Sequence, residues 1–422
     1  MTGKAPLRRR HDGGNSAGAI PAVGLALAGG GPLGGIYEVG ALIALSDSLA
    51  GIDFNDIDVY VGVSSGGFVA AALANGISPT QMYRLFIDDG ADASLSPALF
   101  LRPALGEFAR RGLSLPRHFL GAALGRIRTP DRPNVMESIA ALSAAISRAI
   151  PTGLFDQRAL DRFLTRLFST PGRSNDFRTL EHKLFVIATN LDTGASTTFG
   201  GPGFDHVPIT KAIQASAALP GLFPPVVVDG AHYVDGALNK TLHASVALDA
   251  GVRLLLCVNA LVPFDASPAP GRDALDKLAH GGLPMVLAQA FRAIIHSRMA
   301  VGMDRYRAQY PDADILLFEP DREDADMFFA SIFSYARRKA LCEAAYRKTR
   351  QSLFARRDAL APLLARHGVR LKVEVLSDRE RSIRAALIDT RPLNARKPGV
   401  RQSARDLSHT LDQLEAWLAA AR

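Results

Sequence analysis

A short apolar run that stops at small residues and hands over to helically spaced hydrophobics occurs twice near the start of the chain, and this repeat restricts the fold more than any other feature. Residues 23–28 are apolar and end at Gly29-Gly30-Gly31, after which Ile36, Val39, Leu42 and Ile43 recur at helical spacing as far as Leu49. Residues 59–63 repeat the scheme, closing in a small-residue turn, and the helical pattern of 68–74 runs until Asn75-Gly76 stops it. Ser78-Pro79-Thr80-Gln81 predicts a further helix, opened by a capping box with proline in its first turn. Later apolar runs at 184–188, 226–228, 254–258, 315–318 and 371–375 predict more strands. Strands alternating with helices predict an α/β fold whose largely parallel sheet is covered on both faces.

The flanks are different. Residues 1–20 are polar, glycine-rich and basic, which predicts a disordered tail. Arg8, Arg9 and Arg10 before the apolar stretch 19–28 imitate a secretory signal, but Pro21 interrupts the stretch and it runs directly into the glycine loop, so a cytoplasmic protein is expected. Residues 93–152 break the strand–helix rhythm with Leu and Phe between prolines, and carry eight arginines against three carboxylates. Such a basic apolar insertion suits a lid or a lipid interface, and equally a helical elaboration packed on the body. From residue 321 to 422 the pattern is mainly helical, and Leu407, Leu411, Leu414 and Leu418 form one stripe. The body between, 21–320, is the expected main domain and carries the strand–helix alternation.

Composition limits the chemistry. Two cysteines far apart, Cys257 and Cys342, supply neither a disulfide framework nor a metal quartet, and no cofactor or metal is expected. The net charge of +8 favours an anionic partner without choosing among them. No apolar run reaches the roughly 18 to 20 residues that span a bilayer, so membrane contact is expected only at the periphery.

Gly62-Val63-Ser64-Ser65-Gly66 matches G-x-S-x-G between a predicted strand and a predicted helix. A serine hydroxyl is a poor nucleophile near neutral pH and requires a base, and the tetrahedral product requires donors for its oxyanion. Gly29, Gly30 and Gly31 can aim successive backbone amides at one point beside a helix start. With Gly34 they also fit G-x-G-x-x-G, but the acidic residue that should close the second strand of a dinucleotide site is missing, since Asp56 and Asp58 precede that run. Two Asp-Gly-Ala triplets compete for the base. Asp229-Gly230 lies between two short β runs and reads as a hairpin turn, whereas Asp235 ends the second run, where a strand delivers side chains to a sheet edge. His232 alternates to the opposite strand face, and His243, His280, His296, His367 and His409 lie in no local motif.

These blocks, together with 212–225 leading into Tyr233-Val234-Asp235-Gly236-Ala237, resemble the patatin-like phospholipase family. The resemblance implies a three-layer α/β/α fold and a Ser64–Asp235 dyad without histidine. It also implies an oxyanion hole at Gly29, Gly30 and Gly31, an elbow flanked by Gly62 and Gly66, and hydrolysis of lipid acyl esters. One departure stands out: Leu33 occupies a place where the family often carries Arg or Lys. The implied partner is a lipid or other acyl ester, met at an anionic membrane or lipid-granule surface, and no nucleic acid is expected. A non-catalytic lipid-surface or granule-binding protein of the same fold is the alternative.

Overall fold

The computed structural model describes residues 22–88, 152–265, 280, 282–322 and 337–389. The tail over 1–20, the insertion from 93 to 151 and the leucine stripe near the C-terminus lie outside the described residues.

Both repeated units form where the apolar pattern puts them. β1 (Val23–Leu27) leads into α1 (Gly31–Ser48), the two-residue β2 (Leu49–Ala50) follows, and β3 (Val59–Val63) leads into α2 (Ser65–Ala74). α3 (Pro79–Phe86) starts at the expected capping box: Ser78 Oγ accepts from the Gln81 amide at 3.2 Å, and the Ser78 amide donates to Gln81 Oε1 at 2.9 Å. The next elements are α4 (Arg158–Phe168), β4 (Lys183–Asn190), β5 (Ser196–Phe199), α5 (Ile209–Ser216), β6 (Val226–Val228), β7 (Ala231–Asp235), α6 (Ala244–Asp249) and β8 (Leu254–Val258). They are followed by α7 (Gly282–Gln309), β9 (Asp314–Phe318), α8 (Arg338–Ala355), α9 (Arg357–Ala365), β10 (Arg370–Leu371), α10 (Val373–Ser377) and α11 (Ile383–Asp389).

One sheet holds eight strands, joined along the path β6-β7-β4-β3-β1-β8-β9 with β5 also on β4. β4, β3, β1, β8 and β9 are mutually parallel, and the antiparallel pairs gather around β4 and β7. The register at β4 positions the site. Ile187 pairs with Val63 of β3 and with Thr198 of β5, so these two strands take opposite edges of β4. Ala188 pairs with Thr197 of β5 and with Asp235 of β7, so β7 takes the same edge as β3. β3 and β7 therefore run toward each other along one edge of β4 and meet tip to tip at Val63 and Asp235.

Successive residues of β1 feed opposite cores, Leu25 and Leu27 on one face and Ala26 and Ala28 on the other. The first face packs against α1, α2, α3, α5 and α8, and the second against α6 and the buried Met299 and Met303 of α7, giving three layers, α/β/α. The helical C-terminal region completes the first layer. A methyl group on Gly40 would stand 2.4 Å from the Cys342 carbonyl oxygen, so glycine lets α1 and α8 approach backbone to backbone. No helix among the described residues is long and apolar enough to cross a membrane.

The strand expected at 371–375 does not form as such. Only Arg370 and Leu371 pair, with β2, and residues from Val373 turn into α10. Arg350 explains the change: its guanidinium donates to the carbonyls of Val375, Asp378 and Arg381, satisfying the end of that short helix from a different element.

Candidate active site

Ser64 follows the last residue of β3, and its backbone cannot continue along β4 because the tip of β7 occupies that edge. It turns out of the sheet instead, at φ 53° and ψ −121°, and becomes the residue preceding α2. Positive φ is costly for a side-chain-bearing residue and is retained only where surroundings enforce it. The flanking glycines supply the room. A methyl on Gly62 would lie 2.4 Å from the Gly66 carbonyl oxygen, and one on Gly66 would lie 2.5 Å from the carbonyl oxygens of Leu27 and Ala28. Gly236 has the same origin, since a methyl there would meet Ile187 O at 2.3 Å and Val63 Cγ1 at 3.1 Å, at the junction of the two strand tips.

That junction is stitched by a residue the motif reading did not single out. The Ser64 amide donates to Ser216 Oγ at 2.7 Å, and Ser216 Oγ donates to Ile187 O at 2.5 Å, so one fully buried hydroxyl ties the elbow to β4. Ser216 sits inside the 212–225 block, but nothing local marks its hydroxyl as a link to residue 64. Asp235 is held as firmly. Its amide donates to Ala218 O at 3.0 Å, Thr189 Oγ1 donates to its carbonyl at 3.1 Å, and its Oδ1 accepts from the Ala237 amide at 2.9 Å.

The Asp235 carboxyl is buried, and burial drives it up to about 6, opposed by the Ala237 amide and by the nearby Ser64 hydroxyl. The sequence places Asp235 at a parallel sheet edge, and the structure corrects the direction: β7 is antiparallel to β4 and brings the carboxyl in from the opposite side, to the level at which β3 ends. Asp229 and Gly230 do form the hairpin turn, with φ 49° and 83°, and the exposed Asp229 carboxylate meets His206 Nε2 at 3.0 Å.

The glycine loop closes the third side. A methyl on Gly29 would approach Ser64 Cβ at 3.0 Å and Ala237 Cβ at 3.4 Å, and one on Gly30 would strike Gly34 Cα at 2.7 Å. Gly31 has no such neighbour and is required by its φ of 62°. Ala28 donates to Val258 O and Gly34 donates to Gly30 O, whereas among the described residues no loop carbonyl accepts from the Gly29 or Gly30 amide. α1 and α2 both begin here, so two helix N-termini face the space beside Ser64. Leu33 is buried in the first turn of α1 and brings no cation to this end.

The histidines stand elsewhere. His232 is half-exposed beside Asp192, and His367 pairs with Asp314. His243 is buried with its Nε2 3.5 Å from the Gly236 carbonyl, and burial pushes it down to about 4, which keeps it neutral. His280 and His296 are on α7 or just before it, and His409 lies outside the described residues.

A strained serine between β3 and α2, a buried carboxyl beside it and a glycine loop at two helix starts gather at one end of the sheet of an α/β protein. The family model of the patatin-like phospholipases matches residues 25–248, just over half of the chain, and the chain belongs to that family. An uncharacterized protein of Acanthamoeba polyphaga mimivirus, R571, is 24% identical over 226 residues, covering 53% of this chain and 60% of its own length, so the chain spans less than two thirds of that relative. Among solved structures, the chain is similar to VipD from Legionella pneumophila, with 16% identity, TM-score 0.36 and coverage of 82% of this chain and 69% of that one. It is also similar to human GIVD cytosolic phospholipase A2 in complex with methyl gamma-linolenyl fluorophosphonate, with 16% identity, TM-score 0.23 and coverage of 62% and 43%.

Proposed function

We propose that this chain hydrolyses acyl esters of lipids through a Ser64–Asp235 dyad. The Ser64 hydroxyl attacks the ester carbonyl as Asp235 accepts its proton, and the amides of Gly29, Gly30 and Gly31 hold the oxyanion. Asp235 returns the proton to the departing alkoxide, leaving an acyl-serine. Water then adds to that acyl group with Asp235 again taking the proton, and a fatty acid leaves as Ser64 is restored.

The observation that carries this reading is the state of Asp235. It is buried, lies beside the Ser64 hydroxyl, and has its proton affinity lifted to about 6, so near neutrality it is ionised yet a stronger base than an exposed carboxylate. The +8 charge supports an anionic membrane or lipid-granule surface as the place of work.

The test is turnover of short p-nitrophenyl esters with labelling by a fluorophosphonate and peptide mapping. The expected result is label on Ser64 and loss of both signals in Ser64→Ala; turnover retained in that variant ends the reading. Leu33 favours a second reading, a lipid-surface binder that kept the fold without the chemistry. Vesicle binding with no label on Ser64 would select it.

A further inference from the structure

Past Asp235 the chain enters a cleft that the dyad does not use. Residues 237–241 face Phe291, Ile294, Ile295 and Arg298 of α7 across a space of about 90 Å³. Ala237 belongs to both places: its amide holds Asp235, its side chain lies beside Gly29, and it forms one wall of the cleft. The opposite wall comes from a helix beyond residue 248, outside the span matched by the family model.

α7 is amphipathic in an unusual sense. Met299 and Met303 anchor one face on the sheet, while on the other Leu287, Phe291 and Ile294 are 46%, 46% and 56% exposed at spacings of four and three residues. An Arg298 Nη1 contact to the Leu238 carbonyl at 3.4 Å clasps the helix to the 237–241 loop and sets the width of the cleft.

We infer that this cleft is the acyl-chain subsite, taking the first methylenes of the ester between the 237–241 loop and Phe291, Ile294 and Ile295, with the rest of the chain along the exposed apolar face toward Leu287. This rests on the hydrolase reading for its chemistry but not for its binding. At about 30 Å³ for a unit the size of a water, the cleft holds about three methylene groups. Each buried methylene favours binding by about fourfold. The wild type should therefore gain about fourfold in kcat/KM per carbon over the first three methylenes beyond acetate, then rise less steeply.

The experiment measures that chain-length series with p-nitrophenyl esters in the wild type and in Ile294→Glu, Phe291→Ala and Val301→Glu. Ile294→Glu is expected to flatten the series, and Phe291→Ala, which deepens the cleft, to extend it by further carbons. Val301 is 71% exposed two turns from Ile294 and outside the cleft, so Val301→Glu leaves the slope as it was. All three sites are exposed enough that the variants fold, which circular dichroism checks. A slope unchanged in both cleft variants, or equally lost in Val301→Glu, overturns the subsite while leaving the hydrolase standing. In parallel, Ser64→Ala is titrated with dansyl-undecanoic acid, with and without Ile294→Glu. Ile294-dependent binding of that probe with no ester turnover by the wild type would retain the subsite and remove the hydrolase; binding indifferent to Ile294→Glu removes the subsite.

Discussion

Two aspartates stand near the two ends of α1, almost equally hidden, at 4% exposure for Asp235 and 8% for Asp47, and their proton affinities move in opposite directions. Burial raises both. At Asp47 it is outweighed: Arg381 donates to both oxygens at 2.8 and 2.9 Å, Tyr346 donates at 2.6 Å, Lys372 lies nearby, and the carboxyl ends below its ordinary value. Among the described residues Asp235 has the Ala237 amide and the Ser64 hydroxyl beside it but no cation, and it stays raised. The contrast teaches that burial alone does not make an acid reactive. A charge that is matched becomes structure, while one left with neutral donors keeps an appetite for a proton.

The strongest challenge to that contrast is Asp235→Asn, which preserves shape and removes the acceptor. Turnover is expected to fall about 10³- to 10⁴-fold. Stability should move the other way. Because the folded carboxyl, raised to about 6, binds its proton more tightly than the unfolded one, stability drops as pH rises from about 4 to about 6 and remains lower above it. Asparagine removes that penalty, on the order of 2–3 kcal/mol at pH 7. Urea unfolding measures it, and a less stable variant would break the comparison.

At the other end, Asp47→Ala takes the buried carboxylate away from the half-buried Arg381 guanidinium and from Tyr346 and should cost about 3–5 kcal/mol in urea unfolding. Turnover per folded molecule should stay as it was, since Asp47 touches nothing in the site. The lowered carboxyl also implies that its contribution is present above the unfolded pKa and is lost as pH falls through the lower folded value, opposite to Asp235.

Ser216→Ala tests whether the elbow itself needs support. It strands the Ser64 amide and the Ile187 carbonyl, with an expected loss of about 1–3 kcal/mol. Steady-state kinetics should place the defect in kcat rather than KM, because Ser64, the proposed nucleophile, is displaced while the substrate surface is untouched. The mildest perturbation is pH: kcat/KM of the wild type should rise about tenfold per unit below about 6 and level above it, as Asp235 loses its proton. A profile flat through that range would remove Asp235 as the acceptor.

Much of the site was legible because its constraints are short-ranged. Gly62 answers to Gly66 and Gly67 within the elbow, Gly30 to Gly34, and the Ser78 cap to Gln81. Ser216, the helix at Val373 and the cleft along α7 were not, because each depends on a group far away in the chain: Ser64 for Ser216, Arg350 for Val375, and Ala237 for Phe291.

By itself the sequence determined most of the strands, the elbow turn, the glycine loop and the membership of Ser64 and Asp235 in recognisable blocks, since apolar periodicity and turn chemistry act between near neighbours. Only the tertiary structure decided that β7 runs against β4 along the edge β3 vacates, which brings Asp235 to the end of β3 where Ser64 turns out of the sheet. The same packing settles which of two buried aspartates keeps its affinity for protons, because desolvation and counter-charge are supplied by residues that the chain order keeps far apart.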